Sequence, residues 1–126
     1  MAWNVIAWIL QGLLALVFVF HFVLYVVSPE VLTRSMRAQG HWPPAIPEWF
    51  RRFIGIAELL GAIGLVGPAA TRILPWLTPV AAACLAFVTV SATVYHARRR
   101  EPPFPALPIA ILCLVVVFLR WRVVPI

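Results

Sequence analysis

The fold is decided by residues 51–68, which read RRFIGIAELLGAIGLVGP. This stretch is apolar enough to enter a bilayer, yet it carries one carboxylate, Glu58, and four glycines. A charged group costs about 3 kcal/mol at the centre of a membrane helix, so it usually faces other protein or a cavity. Glycines let a neighbouring helix approach closely. We therefore interpret the stretch as the central helix of a small membrane bundle, with Glu58 turned inward.

The composition indicates an integral membrane protein. The 126 residues are 63% hydrophobic and 11% charged, whereas a soluble domain carries about 25% charged residues. The net charge of +6 comes from arginines at the ends of apolar runs. That placement fits phosphate headgroups and membrane topology, so we predict contact with membrane lipids and no binding to nucleic acid. The length predicts a single domain over residues 1–126.

Four apolar runs indicate helices that cross a hydrocarbon core of about 30 Å. We predict an all-α membrane protein with four transmembrane helices, at about residues 5–27, 47–67, 77–97 and 105–122. The second helix is expected to end at Gly67-Pro68. The fourth run is short for a span, so either Arg120, Trp121 and Arg122 lie at the membrane interface or the helix sits in thinned lipid.

The segment between the first two spans predicts a short helix and then a connector. Ser28-Pro29-Glu30 is typical of a helix start, and Gly40 of a helix end. Mixed apolar and arginine residues between them favour a helix in the headgroup zone, with a polar loop as the alternative. Residues 41–47 contain three prolines and predict an extended connector, in which His41 is a solvated loop residue.

Three ionisable side chains fall in the same half of the membrane, namely His21, Glu58 and His96. Facing inward, they would form one polar cluster with Tyr25 and Tyr95. Such a cluster fixes helix register by hydrogen bonds, or binds a quinone, a lipid or another amphipathic ligand. A metal or haem site through the two histidines is disfavoured, because they lie at unequal depth. In the remaining alternative, the groups face headgroups and never meet.

The sequence offers no catalytic motif and no metal-ligand spacing, so we predict neither catalytic residues nor a metal site. A stripe of small residues in the second span, Gly55, Ala57, Gly61 and Gly64, suits close helix packing. This packing occurs within the chain or against another membrane-protein subunit, and both remain open. Five arginines near the ends of the second and third spans are predicted to bind headgroups: Arg51, Arg52, Arg98, Arg99 and Arg100.

The second span resembles the DoxX-like family of small four-helix membrane proteins. The resemblance rests on residues 52–65 followed by Pro68, and extends to residues 71–79, the His96-Ala97-Arg98-Arg99 end of the third span, and Ser28-Pro29-Glu30. It implies a four-helix bundle and an association with respiratory and redox membrane systems. Relatives often end the first helix with Gly and Lys. This chain has no Lys there, so His21 or Tyr25 would take the place of a lysine that pairs with the acid.

Two hypotheses about function follow. The first is a non-catalytic accessory or structural subunit of a larger redox or energy-transducing membrane complex, since the chain combines small-residue surfaces with no catalytic set. The second is a stand-alone protein or enzyme that binds a quinone or lipid through Glu58 and His21. The resemblance further implies a bacterial inner membrane.

Arginine counts predict the orientation. Seven arginines flank the first and third loops and three lie on the other side: Arg34, Arg37, Arg51, Arg52, Arg98, Arg99 and Arg100 against Arg72, Arg120 and Arg122. By the positive-inside rule, both termini lie outside the cytoplasm. A C-terminal alkaline phosphatase fusion is therefore expected to be active, and a C-terminal green fluorescent protein fusion dark. The reverse pattern would contradict this orientation.

Overall fold

The computed structural model describes residues 2–40 and 46–126, in which all regular elements are helices. Four of these helices are long and apolar enough to cross a membrane, and they are called spans 1 to 4 below: Ala2–Val27, Glu48–Thr71, Leu77–Arg98 and Ala106–Val123. This confirms the prediction of an all-α protein with four membrane spans. His41 and most of the predicted connector lie outside the described residues.

The spans form a closed ring. Each span packs against the next one along the chain, and span 4 also contacts span 1. The interior is filled by apolar side chains from all four spans, including Leu14, Phe18, Leu65, Leu85 and Val116. The outer faces are also apolar, with Leu16 and Phe87 about 69% and 75% exposed. An apolar exterior of this kind suits a hydrocarbon solvent.

Span 2 lies close to both neighbours because of its glycines. A Cβ atom added at Gly64 would lie 2.7 Å from the Cβ atom of Ala81 on span 3. A Cβ atom at Gly61 would overlap the side chain of Leu85, and one at Gly55 would overlap side chains at the end of span 1. Each of these three glycines is therefore in close contact with a neighbouring span of the same chain.

Span 2 ends later than the sequence predicted. The predicted end at Gly67-Pro68 is wrong, since the helix continues to Thr71 with Pro68 inside it. A proline at this position removes one backbone donor and crowds the carbonyl four residues earlier, which disfavours the helix but does not end it here. The Thr71 hydroxyl also donates to the carbonyl of Gly67 over 2.7 Å. The helix stops at Arg72, whose φ of 58° is left-handed.

The short helix predicted after span 1 comprises Pro29–Ala38. Its two buried side chains, Leu32 and Met36, lie one turn apart and pack with Leu24 of span 1. Ser28 precedes it as predicted, although the Ser28 hydroxyl makes no capping hydrogen bond. Its position in the headgroup zone stays a prediction.

Spans 1 and 4 each end in a π-helical turn, Val23–Val27 and Leu119–Val123. In these turns the backbone N–H groups reach the carbonyl five residues back, as Val124 does to Leu119 over 2.7 Å. Nothing in the sequence pattern predicts them. Isolated π turns occur frequently at functional sites, and these two contain Tyr25 and Arg120.

We predict that Gly64→Ala lowers the free energy of unfolding by about 1–2 kcal/mol, because the new methyl group meets a methyl group on rigid backbone. Gly67→Ala is the matched control, since its Cβ atom would lie 3.8 Å from Ile63, an ordinary contact. The control should be neutral or gain up to about 1 kcal/mol of helix propensity. The free energies of unfolding of both variants can be measured by SDS unfolding in mixed micelles, followed by circular dichroism. Equal losses of stability in the two variants would contradict the close packing of spans 2 and 3.

Candidate functional site

A cavity of about 100 Å³ lies between the spans, at the end of the bundle that carries the first and third loops. Side chains of all four spans and of the short helix line it. Those that carry polar atoms are His21, Tyr25, Ser35, Gln39, Glu58, Thr89 and His96. The exposed Gln39 marks where this cavity reaches the surface. Four of the five residues predicted to cluster therefore line one cavity.

Glu58 is the acidic residue in the cavity wall, and it is buried. It is 5% exposed, and its Oε2 atom lies 3.4 Å from Nδ1 of His21. That oxygen is buried and has no hydrogen bond with any described residue. The great majority of buried polar atoms in proteins are hydrogen-bonded, to protein or to water. Apart from its 3.4 Å contact with His21, this carboxylate oxygen of a cavity-lining residue therefore has acceptor capacity that no hydrogen bond from the described residues uses.

Aromatic rings surround the imidazole of His21. The ring of Phe18 meets it edge-on at 6.0 Å, and that of Tyr25 lies tilted at 6.1 Å. The side chain of His21 remains about 24% exposed. The backbone carbonyl of Tyr25 accepts a hydrogen bond from Arg51, which ties the π turn of span 1 to the start of span 2.

A second polar network lies where span 3 ends. Nδ1 of His96 and Oε2 of Glu101 are 2.6 Å apart, and Nε of Arg99 lies 3.2 Å from Oε1 of the same carboxylate. Glu101 is 5% exposed. The hydroxyl of Tyr95 accepts a hydrogen bond from Arg99, so Tyr95 belongs to this network and does not line the cavity. Because His96 lines the cavity as well, it joins the network to the site.

The predicted arginines divide into two groups. Arg51 and Arg99 are half-buried and bond to protein groups, whereas Arg98 and Arg100 are exposed. Arg52 is exposed and pairs with Glu48 at 2.7 Å. Headgroup contact stays a prediction for all five. Within residues 2–40 and 46–126, no three His, Cys, Asp or Glu side chains are arranged to hold a metal ion.

Arg120, which we expected at the membrane interface or in thinned lipid, is buried with 3% of its surface exposed. Its Nε donates to the side-chain oxygen of Gln11 over 2.6 Å, and its Nη1 donates to the side-chain oxygen of Asn4 over 2.8 Å. Gln11 is fully buried and donates in turn to the carbonyl of Leu65. The π turn and Gln11 give Arg120 buried protein partners, so its side chain is enclosed by protein instead of exposed at the end of the span, and its level in the membrane stays a prediction. This set is called the Arg120 cluster below.

The comparison with protein families matches residues 9–118 to the DoxX-like family. The chain belongs to the DoxX-like family. This confirms the resemblance seen in the second span and agrees with an integral membrane protein. The match includes the whole cavity lining and ends two residues before Arg120. No match was found among curated proteins or among solved structures.

In this DoxX-like protein, Gln11→Leu is expected to lower the free energy of unfolding by about 2 kcal/mol, because it removes the amide that binds a buried guanidinium. Gln39→Leu, at an exposed position, should change it by less than about 0.5 kcal/mol. SDS unfolding in mixed micelles provides the measurement. Equal effects of the two substitutions would show that Arg120 does not depend on Gln11.

Proposed function

We propose that this DoxX-like protein binds the polar ring of a quinone, or a similarly small amphipathic ligand, in the cavity at Glu58. One observation carries the proposal: a buried carboxylate oxygen without a hydrogen bond to the described residues lies against a cavity within a membrane bundle. An ionisable group inside a membrane bundle is by default a functional-site hypothesis. Here the neighbouring imidazole and the cavity supply the rest of a small binding site.

The cavity volume restricts the ligand. Pockets for drug-sized molecules measure about 300–1,000 Å³, several times the volume found here. A single small ring fits better than an elongated polar molecule. The ligand's apolar tail would leave between the helices, where exposed Phe20 lines the cavity on its lipid side. A membrane-soluble molecule with one compact polar end meets both conditions.

The lining offers both donors and an acceptor to a quinone ring. The carbonyl oxygens of a quinone accept hydrogen bonds, which an imidazole or a phenol can donate, and the hydroxyl groups of its reduced form, a quinol, can donate to a carboxylate oxygen. His21, Tyr25 and Glu58 supply one of each at the cavity wall. We propose binding through these groups, and we assign no reaction to them.

The structure weakens one argument for the hypothesis of an accessory subunit. It relied on a small-residue stripe open to another protein, but Gly55, Gly61 and Gly64 are in contact with neighbouring spans of the same chain. A binding role for the cavity therefore has more support than a docking role for span 2. Membership of a redox complex remains compatible with a bound quinone.

We also propose a bacterial plasma membrane as the location, with both termini outside the cytoplasm. The support is the family membership together with the arginine distribution. In that orientation the cavity lies in the cytoplasmic half of the bilayer. It would then exchange protons with the cytoplasm rather than with the outside.

Glu58→Gln is the sharpest test of the proposal. Isothermal titration of the protein in nanodiscs with a short-tailed benzoquinone in its reduced, quinol form should show an affinity at least about tenfold weaker in this variant, because the neutral amide oxygen of glutamine is a weaker acceptor than a carboxylate. Glu30→Gln replaces an exposed acid on the short helix and should bind like the wild type.

A second pair of variants tests the location of the ligand. Ala92→Phe projects a ring into the cavity and is expected to abolish binding, whereas Ala97→Phe alters an exposed position of the same helix. Circular dichroism establishes that each variant is folded. The proposal fails if the wild type binds no quinone, or if Glu58→Gln and Ala92→Phe both bind as tightly as their controls.

A further inference from the structure

The Arg120 cluster contains a buried positive charge without an acidic partner. All four glutamates lie in the described residues, and none is within ion-pair distance of Arg120. Its Nη2 is buried and has no hydrogen bond with any described residue. Neutral amide oxygens of Gln11 and Asn4 and the carbonyl of Val124 bind the other two nitrogens. An uncompensated buried charge is strongly destabilising, so an external anion would be favoured here.

The cluster lies at the end of a lipid-facing groove. Trp8 belongs to both, because its ring lies 5.3 Å below the guanidinium carbon of Arg120 and also lines the groove. The groove measures about 520 Å³ and runs along span 1 from Trp8 to Val19, about 16 Å at 1.5 Å per residue. Gly12 keeps it open, because an added Cβ atom would meet nothing within 4 Å beyond its chain neighbours and the backbone of its own helix.

The level of the cluster in the membrane matches a headgroup. Trp3 and Trp121, which are next in sequence to Asn4 and Arg120, are 57% and 63% exposed. Exposed tryptophans at the ends of spans are typical of the membrane–water interface. Asn4 is exposed as well, so its amide is open to a ligand from the bilayer. A guanidinium beside an amide is suited to bind phosphate.

We propose that this end of the bundle is a phospholipid site, distinct from the cavity at Glu58. The phosphate accepts a hydrogen bond from the exposed amide of Asn4 and is attracted by the charge of the buried Arg120 guanidinium behind it, and one acyl chain lies in the groove beside Gly12. The positive charge selects an anionic lipid such as phosphatidylglycerol. The site does not depend on the proposed function of the cavity, because the two share no residue.

Native mass spectrometry of the full-length protein, titrated with phosphatidylglycerol, tests the phosphate contact. Arg120→Gln should weaken binding of the first lipid about tenfold or more, whereas Arg122→Gln, at an exposed arginine two residues away, should leave it unchanged. Diacylglycerol, which has the same chains without phosphate, should bind far more weakly than phosphatidylglycerol. Equal losses in the two arginine variants would overturn the proposal in favour of diffuse surface attraction.

Gly12→Leu tests the groove without touching the charge. The leucine projects into open space, so the variant should fold and yet bind the first lipid about tenfold less tightly than the wild type. Ala83→Leu, on the exposed face of span 3, is the matched control and should bind normally. Wild-type affinity in Gly12→Leu would overturn the proposal even if Arg120→Gln failed to fold. Glu58→Gln should retain lipid binding, which separates this test from that of the cavity.

Discussion

A charge at membrane depth must face protein, and this constraint organises both ends of the bundle. The carboxylate of Glu58 lies beside an imidazole and a cavity, and the guanidinium of Arg120 donates to amide and carbonyl oxygens. Each solution needs neighbouring spans to come close, which the glycines of span 2 and the π turns allow. The close packing of the helices therefore also creates the surroundings of the two buried charged groups.

The two polar ends differ in character. At the Glu58 end, two carboxylates lie beside histidines and an arginine, and the surrounding helices enclose a cavity. The Arg120 end is cationic, lacks an acid among its described neighbours, and borders a groove open to lipid. We therefore propose a small neutral ring with hydrogen-bonding oxygens at one end and an anionic phosphate at the other. In these proposals the same four helices hold a neutral ligand and an anionic ligand.

Much of the fold could be predicted from the sequence, because apolar length and flanking arginines determine membrane spans. Glu58 was predictable for the same reason, since an acid in the middle of an apolar run has a high energetic cost outside protein. Glu101 was not, because an acid after three arginines and before two prolines resembles a solvated turn. Arg120 was missed because an arginine at the end of an apolar run usually reaches the interface, and only the π turn directs it inward.

Between the two polar ends lies a layer of tightly packed apolar side chains, among them Leu14, Phe18 and Leu65. Apolar side chains neither donate nor accept hydrogen bonds, so this layer cannot relay protons between the two polar ends. A proton that Glu58 exchanges through its cavity would therefore return to the end of the bundle that carries the first and third loops. Net proton transfer across the bilayer would require a ligand that itself moves from one side to the other.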